Sequence, residues 1–344
     1  MLRVSIIIPV YNVQKHIGRC LESILAQESC NADIECIIVD DCSQDDSMDI
    51  VAQKLSNYAG SIRFVIKRHS VNSGHCTARN TGLKDAQGDY VLFVDSDDAL
   101  TPGAISCFID GLDKVGTNVD VIVCNAFSVR DDKTMMNLGE QPELIDNRDE
   151  EGLRRLLARE IIQHSWNKMV NRKFLTENGL FFNDGIINED LLWSYLLFQY
   201  SKNILLLPSV TYIYETDNSN SITNTPNKRS RKIITSRITI CNKILSSPPR
   251  NITEDYYTYL FFCFMRALDI YEKNRKELYQ YKDELYSIRG RLLKDVKNRR
   301  FYILYLFFLT SVKPFYYVIY LKLFRQYYNA ILKKVVELDK IVHF

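Results

Sequence analysis

The run Val91-Leu92-Phe93-Val94-Asp95-Ser96-Asp97-Asp98 constrains the fold more than any other stretch of the chain. Four consecutive apolar residues, β-branched and aromatic among them, describe a fully buried strand. The run then stops on three carboxylates within four positions. Open α/β sheets bind their ligands outside the carboxyl ends of their strands, so these acids belong at the mouth of such a sheet. Carboxylates this close raise one another's pKa unless something positive intervenes. A hard divalent cation, held by one or two carboxylates and a substrate's phosphates, supplies that charge. The stretch points to a metal–diphosphate site, with an acidic surface turn after a core strand as the simpler alternative.

Strand and helix alternate around this run over residues 1–125. Val4–Ile8, Ile34–Val39, Ile62–Ile66, Asp89–Val94 and Val119–Val123 read as strands. Between the first two, Ile17, Cys20, Leu21, Ile24 and Leu25 recur at helical spacing. Ser43 or Asp45 can cap the next helix, which turns Ile50, Val51 and Leu55 inward. Thr77–Ala86 and a segment opening at Pro102 complete the helices. Such alternation predicts right-handed crossovers and an α/β fold with a mostly parallel central sheet. Residues 130–150 turn polar and acidic, as a hairpin or loop does. Beyond them the pattern predicts a helix at Glu151–Ile162, a strand at Trp166–Val170 and a helix at Asp190–Tyr200. Two strands, Ile204–Leu207 and Val210–Tyr214, flank Pro208, and residues 227–298 read as Tyr-rich helices interrupted at Pro248-Pro249.

Charge and cysteine usage narrow the partners. A net charge of +2 gives no global attraction to nucleic acid. The nine cysteines are odd in number and scattered without a C-x-x-C, supporting neither a disulfide scaffold nor a zinc site. Reduced thiols in the cytosol are the expectation, and Val4–Pro9 is too short for a signal peptide. The C-terminal block differs from the rest: Arg289–Lys334 carries eleven Lys or Arg against one acid, Asp295. Within it Phe301–Val312 and Phe315–Leu323 are aromatic and apolar, but neither reaches the roughly 20 residues of a spanning helix. Basic-aromatic helices of this kind suit the interface of an anionic bilayer, and a buried helical pair is the alternative. The expectation is a cytoplasmic protein, peripheral on the cytoplasmic face of the inner membrane through residues 299–344.

Other candidate residues sit where strands end. Pro9-Val10-Tyr11-Asn12 offers a phenol and an amide to stack on and bond to a base, or is merely a turn. Asp40-Asp41 could accept an imide N–H or ribose hydroxyls, or cap a helix. Asn72-Ser73-Gly74 and Ala78-Arg79-Asn80 open a helix whose N–H groups, with Arg79, suit a phosphate. Arg79 serves equally as the structural partner of an aspartate. Asn188-Glu189-Asp190 precedes an apolar helix and either stabilises its N-terminus or supplies a general base for an acceptor hydroxyl. The five histidines lack ligand spacing and read as surface or locally bonded residues.

Together VSIIIPVYN (4–12), IIVDDCSQDD (37–46), NSGHCTARNTGL (72–83), GDYVLFVDSDD (88–98) and NEDLLW (188–193) resemble, in that order, the family-two inverting glycosyltransferases of GT-A fold. Trp166-Asn167-Lys168 and Asn220-Ser221-Ile222-Thr223 extend the likeness, which covers roughly residues 3–222. The resemblance implies a glycosyltransferase domain over 1–225, with a donor half to about 125 and an acceptor half beyond it. A helical extension over 226–298 and the basic tail follow. It implies a UDP-sugar donor held by Pro9, Val10, Tyr11, Asn12, Asp40, Asn72, Arg79, Asp95, Ser96, Asp97 and Ser221. Asp97, aided by Asp95, would bind Mn2+ or Mg2+, and Asp98 would orient donor or acceptor sugar. Asp190 would be the base, with Glu189 beside the acceptor, a glycan or lipid-linked oligosaccharide of surface polysaccharide synthesis. His75 and Cys76 depart from the small or apolar residues commoner at their positions.

Two rival readings remain at this level. Phe93–Asp97 also resembles the hydrophobic-D-x-D start of haloacid-dehalogenase-like phosphatases, although those carry it on their first strand. A non-catalytic, membrane-associated assembly factor on a nucleotide fold is the other, disfavoured because every acid and Arg79 are retained.

Overall fold

A computed structural model describes residues 1–27, 32–116, 118–215 and 229–298. The chain divides into two compact units, Met1–Leu156 with Glu160–Ser219, and Leu157–Arg159 with Asn220–Phe344. Ser221 and the basic tail at 299–344 lie outside the described residues.

The first unit opens with the expected alternation: β1 (Leu2–Val10), α1 (Ile17–Leu25), β2 (Ala32–Asp40), α2 (Ser47–Ser56), β3 (Arg63–Arg68), α3 (His75–Asp85), β4 (Tyr90–Phe93), β5 (Ala99–Leu100), α4 (Ala104–Val115) and β6 (Val121–Ser128). It continues through β7 (Lys133–Thr134), β8 (Glu143–Asp146), α5 (Glu151–Leu157), β9 (Lys168–Asn171), α6 (Arg172–Glu177), α7 (Glu189–Tyr200) and β10 (Asn203–Tyr214). Among the described residues all ten strands join one sheet in the order β3-β2-β1-β4-β9-β6-β10-β5, with β7 on β6 and β8 on β10. β1 pairs parallel to β2 and β4, β2 to β3, and β6 to β10. β9 runs antiparallel to both β4 and β6, which therefore point the same way. The sheet is mixed but mostly parallel.

Apolar runs without polar interruption explain why the central strands are covered on both faces. Ile6, Ile7 and Ile8 of β1, Cys36–Val39 of β2 and Val91–Phe93 of β4 are all fully buried. Helix α3 reaches this close to β1 because residue 82 is glycine: a Cβ there would stand 2.4 Å from Ile7 Cγ2. The parallel register aligns Val10 with Asp40 and Ile7 with Phe93, so the acids following β2 and β4 leave the same edge of the sheet.

Three elements differ from the sequence pattern. The two strands expected around Pro208 are one strand, β10, with register shifts between Leu207 and Tyr212. On its far side β8 pairs with Asn203–Leu206 and β5 with Tyr212–Ile213, so Pro208 falls between partners where its missing N–H costs no ladder bond. Helix α5 stops at Leu157 rather than Ile162, and Arg159 follows with a left-handed φ of 62°. The polar stretch at 130–150 holds more than the expected hairpin or loop: β7 folds back antiparallel on the end of β6, and β8 goes on to join β10.

The described residues of the second unit are mainly helical: α8 (Arg229–Ser246), α9 (Glu254–Lys273), α10 (Arg275–Leu278) and α11 (Lys282–Asn298). Pro248-Pro249 lies in the α8–α9 turn, where no helical N–H is needed. Ile234, Ile238, Cys241 and Ile244 of α8 are buried, as are Tyr257, Leu260 and Phe264 of α9 and Leu285, Ile288 and Leu292 of α11. Among the described residues no helix is long and apolar enough to cross a membrane.

Candidate active site

Arg79 is the centre of the site. It lies on α3, is 4% exposed, and joins carboxylates that are distant in the chain, Asp95 and Glu189. Its Nη2 donates to Asp95 Oδ1 at 2.6 Å and its Nη1 to Glu189 Oε1 at 2.7 Å. Asp190 Oδ1 stands 4.0 Å from the same Nη1. The guanidinium also lies over the Phe182 ring, 5.1 Å from its centroid. Burial works against its charge, but Asp95, Asp190 and Glu189 outweigh burial and hold it firmly protonated.

Aromatic packing sets where the second pair of acids lies. Phe182 stacks on Trp193 of α7 at 4.8 Å and meets Phe93 of β4 edge-on at 5.0 Å. Asn80, next to Arg79, exchanges two hydrogen bonds with the Phe182 backbone, and the Trp193 indole donates to the Leu180 carbonyl. Asn188 takes a left-handed φ of 58° and turns the chain into α7, so that Glu189 and Asp190 occupy its first turn. The start of α7 is thereby tied to β4 and α3.

The two acids of α7 differ in surroundings. Glu189 is 5% exposed, and burial alone would raise its carboxyl. The hydrogen bond and charge of His75, then the charge of Arg79, bring it down instead to about 2. Asp190 is 18% exposed. Its Oδ1 accepts no hydrogen bond from the described residues, and its Oδ2 lies 3.7 Å from His164 Nδ1. It lies near the Arg79 cation without being saturated by hydrogen bonds, as a proton acceptor should be.

The turn after β4 closes with Asp98 N–H donating to the Asp95 carbonyl. Asp98 is buried and receives the Tyr212 hydroxyl at 2.6 Å and the Glu215 N–H at 2.7 Å. Burial, then the charges of Asp97 and Asp95, push its carboxyl well above the usual range against those hydrogen bonds. The Tyr212 hydroxyl also accepts the Asp95 N–H, at 3.1 Å. Arg19 fixes the turn from outside by donating to the Asp97 carbonyl. Ser96 is buried within it. Asp95, at 27% exposure, keeps one oxygen on Arg79. The side-chain donors offered by Asp95 and Asp97 are all oxygen, which suits Mg2+ or Mn2+ better than a softer metal.

The remaining sequence candidates occupy neighbouring strand ends. Pro9 and Val10 are buried in β1, and Tyr11 follows at 43% exposure. Asn12, with a φ of 52°, accepts the Gln44 N–H and so ties the loop after β1 to the loop after β2. Asp40 is buried, accepts the Ser43 N–H and pairs with Arg68 at 3.0 Å. Asn72 is exposed in the loop before α3. That loop is less open to a phosphate than its sequence suggested: Ser73 and Gly74 both donate their N–H groups to Asp41, which also holds His69. Arg79, grouped with the nucleoside residues by resemblance, sits among the carboxylates.

Sequence reasoning passed over several contributors. His75 meets Glu189 Oε1 at 2.7 Å and His164 approaches Asp190, so neither histidine is an isolated surface residue. His164 stacks on Trp166 at 4.8 Å, and Trp166 stacks on Tyr212 at 4.2 Å, a row of rings between Asp190 and Asp98. Lys168 is wholly buried and donates to the Ile162 and His164 carbonyls, fixing the segment that carries His164. Burial, against the pull of Asp190, lowers its pKa to about 7. The Trp166-Asn167-Lys168 motif and the departure at His75 were the signals for these in the sequence.

Comparison with known proteins agrees with this architecture. The model for "Glycosyl transferase family 2" matches residues 5–179. EpsJ of Bacillus subtilis (strain 168), an uncharacterized glycosyltransferase, is 30% identical over 232 residues, 65% of this chain and 64% of EpsJ. The poly(ribitol-phosphate) β-N-acetylglucosaminyltransferase TarS of Staphylococcus aureus (strain Mu50 / ATCC 700699) is 28% identical over 218 residues, 63% of this chain and 36% of TarS. The matches thus span less than two thirds of either relative. The crystal structure of S. aureus TarS 1–349 in complex with UDP-GlcNAc superposes with a TM-score of 0.61 at 20% identity, over 85% of this chain and 81% of that one. Its likeness establishes the GT-A type fold. The phosphatase alternative fails with it, since the acid-bearing β4 is fourth in sequence rather than first. The ordered motifs, the mixed sheet and a family model matching half the chain lead to one assignment: the protein belongs to glycosyl transferase family 2.

Proposed function

We propose that the protein is an inverting glycosyltransferase that moves a hexosyl or N-acetylhexosaminyl group from a UDP-sugar to a hydroxyl of a glycan acceptor. One observation carries the reading: Arg79 joins a donor-side carboxylate, Asp95, to the acid pair Glu189-Asp190 inside one unit. Tyr11, Asn12 and Asp40 stand at adjacent strand ends for the nucleoside. Asp97 and Asp95 would hold a Mn2+ or Mg2+ ion, which when bound offsets charge on the departing diphosphate. Asp190 takes the acceptor proton while the acceptor oxygen attacks the anomeric carbon opposite the diphosphate. Inversion follows without a covalent sugar–enzyme intermediate. TarS supports UDP-GlcNAc as a donor class, and its poly(ribitol-phosphate) acceptor supports a surface-polymer pathway.

Calorimetric titration with UDP tests the donor half. Binding is expected to require Mn2+ or Mg2+ and to be lost in Asp97→Ala; binding indifferent to EDTA would sink the metal assignment. A hydrolysis screen over nucleotide sugars, reading slow release of UDP, then names the donor.

Residues 299–344 are read as a contact with the cytoplasmic face of the membrane, on their basic-aromatic sequence. Flotation with anionic liposomes should fail once they are deleted, and equal flotation of both forms would contradict the reading.

A further inference from the structure

His75, Cys76 and Glu189 form a cluster that the proposed transfer chemistry does not use as a unit. The first two open α3 and the third opens α7. One ligating atom from each lies within 4.8 Å of the others. His75 Nε2 is 3.7 Å from Cys76 Sγ and 2.7 Å from Glu189 Oε1. With zinc–nitrogen and zinc–sulfur bonds of about 2.0–2.3 Å, two tetrahedral ligands stand roughly 3.4–3.6 Å apart. The His–Cys edge already has nearly that length. The His–Glu edge is shorter because ring and carboxylate are in direct hydrogen-bond contact, which an entering cation would replace.

The surroundings match what a ligated carboxylate needs. Metal-bound carboxylates are themselves hydrogen-bonded by outer groups. Arg79 Nη1 supplies that bond to Glu189 Oε1, and Asp95 on the other side of the guanidinium offsets its charge. His75, with 30% of its side chain exposed, leaves a path to solvent. Nitrogen, sulfur and oxygen together select a softer metal than the all-oxygen donors of Asp95 and Asp97.

We infer that His75, Cys76 and Glu189 form a second cation site, for a thiophilic divalent ion of the zinc class. Adjacent ligands on one helix start and a third on another explain why cysteine spacing alone gave no such signal. Occupation draws Glu189 into the metal's coordination beside Asp190. Zinc then acts as an inhibitor from the acceptor side, a consequence that rests on the proposed function.

Cobalt titration of the full-length protein tests the site, since a Co2+–thiolate bond gives a charge-transfer absorption that oxygen-ligated cobalt lacks. The expected result is a saturable band displaced by Zn2+, retained in Asp97→Ala and lost in both Cys76→Ser and His75→Asn. Circular dichroism of the two variants confirms that they are folded. No band in the wild type, or an unchanged band in either folded variant, overturns the site. The band needs no turnover, so its presence without UDP release from any nucleotide sugar would discredit the transferase reading and leave the site standing. Turnover with no band would do the reverse. UDP release insensitive to zinc at saturation of the site overturns the inhibitory role.

Discussion

Replacing Asp190 by Asn is expected to lower turnover by about 10²–10⁴-fold, the usual contribution of a positioned general base, while UDP still binds. The substitution keeps the side chain's size and its place in the first turn of α7. It removes the capacity to take a proton, and with it one of the three negative charges around Arg79. Asp190 suits that task because its Oδ1 stands 4.0 Å from Arg79 without a hydrogen bond, whereas Glu189 is already engaged by both His75 and Arg79. The two assays are UDP release under saturating nucleotide sugar and calorimetric UDP binding. Normal turnover in the variant would refute the base role. Loss of both turnover and UDP binding would show that the substitution disturbs the donor side as well.

Arg79→Met should cost stability and activity together. The methionine fills part of the space, but Asp95, Glu189 and Asp190 lose the cation they share. Removing one partner of a buried ion pair costs about 3–5 kcal/mol, since it strands uncompensated charge. Urea unfolding should show the midpoint falling with little change in slope. A midpoint equal to wild type at neutral pH would mean that the carboxylates are neutralised by something else.

The same variant carries a pH signature. In the wild type, Glu189 has a folded pKa of about 2, below its ordinary 4.5. A depressed carboxyl stabilises the fold fully above its unfolded pKa and loses that contribution as pH falls through the folded value. Wild-type protein should therefore shed this contribution only between about pH 4.5 and pH 2. His75 opposes the burial effect first and Arg79 after it, so without Arg79 acid destabilisation should begin at higher pH. Melting curves from pH 7 to pH 3 on both proteins would measure the displacement.

Much of the donor half could be read along the chain. Ile6–Ile8, Cys36–Val39 and Val91–Val94 are continuous apolar runs, and such runs bounded by turns specify strands covered on both faces. The second and third end directly on carboxylates, and Tyr11 and Asn12 follow the first within four positions, so the chemistry at the carboxyl edge follows from neighbouring residues alone. Asn188-Glu189-Asp190 ahead of an apolar helix was legible for the same local reason. Pro208 misled, because proline breaks a ladder only where a partner waits for its N–H. In β10 it falls between two short partners. The antiparallel placement of β9 between β4 and β6 had no local signature either, since pairing direction is a property of topology.

The sequence by itself determined which residues carry charge and which ends of which elements present them, because apolar periodicity and turn chemistry act over a few positions. Only the tertiary structure decided how those charges meet. Arg79 reaches Asp95 on its own side of the fold and Glu189 from the start of α7, and Tyr212 reaches Asp98 from the far end of the domain. Those contacts depend on strand order, on the Phe93–Phe182–Trp193 packing and on a glycine at position 82 that lets α3 lie close to β1. Each is a coincidence in space between residues distant in the chain. Electrostatic energy falls with distance through space rather than along the backbone, so the partners of a buried charge are settled by the fold.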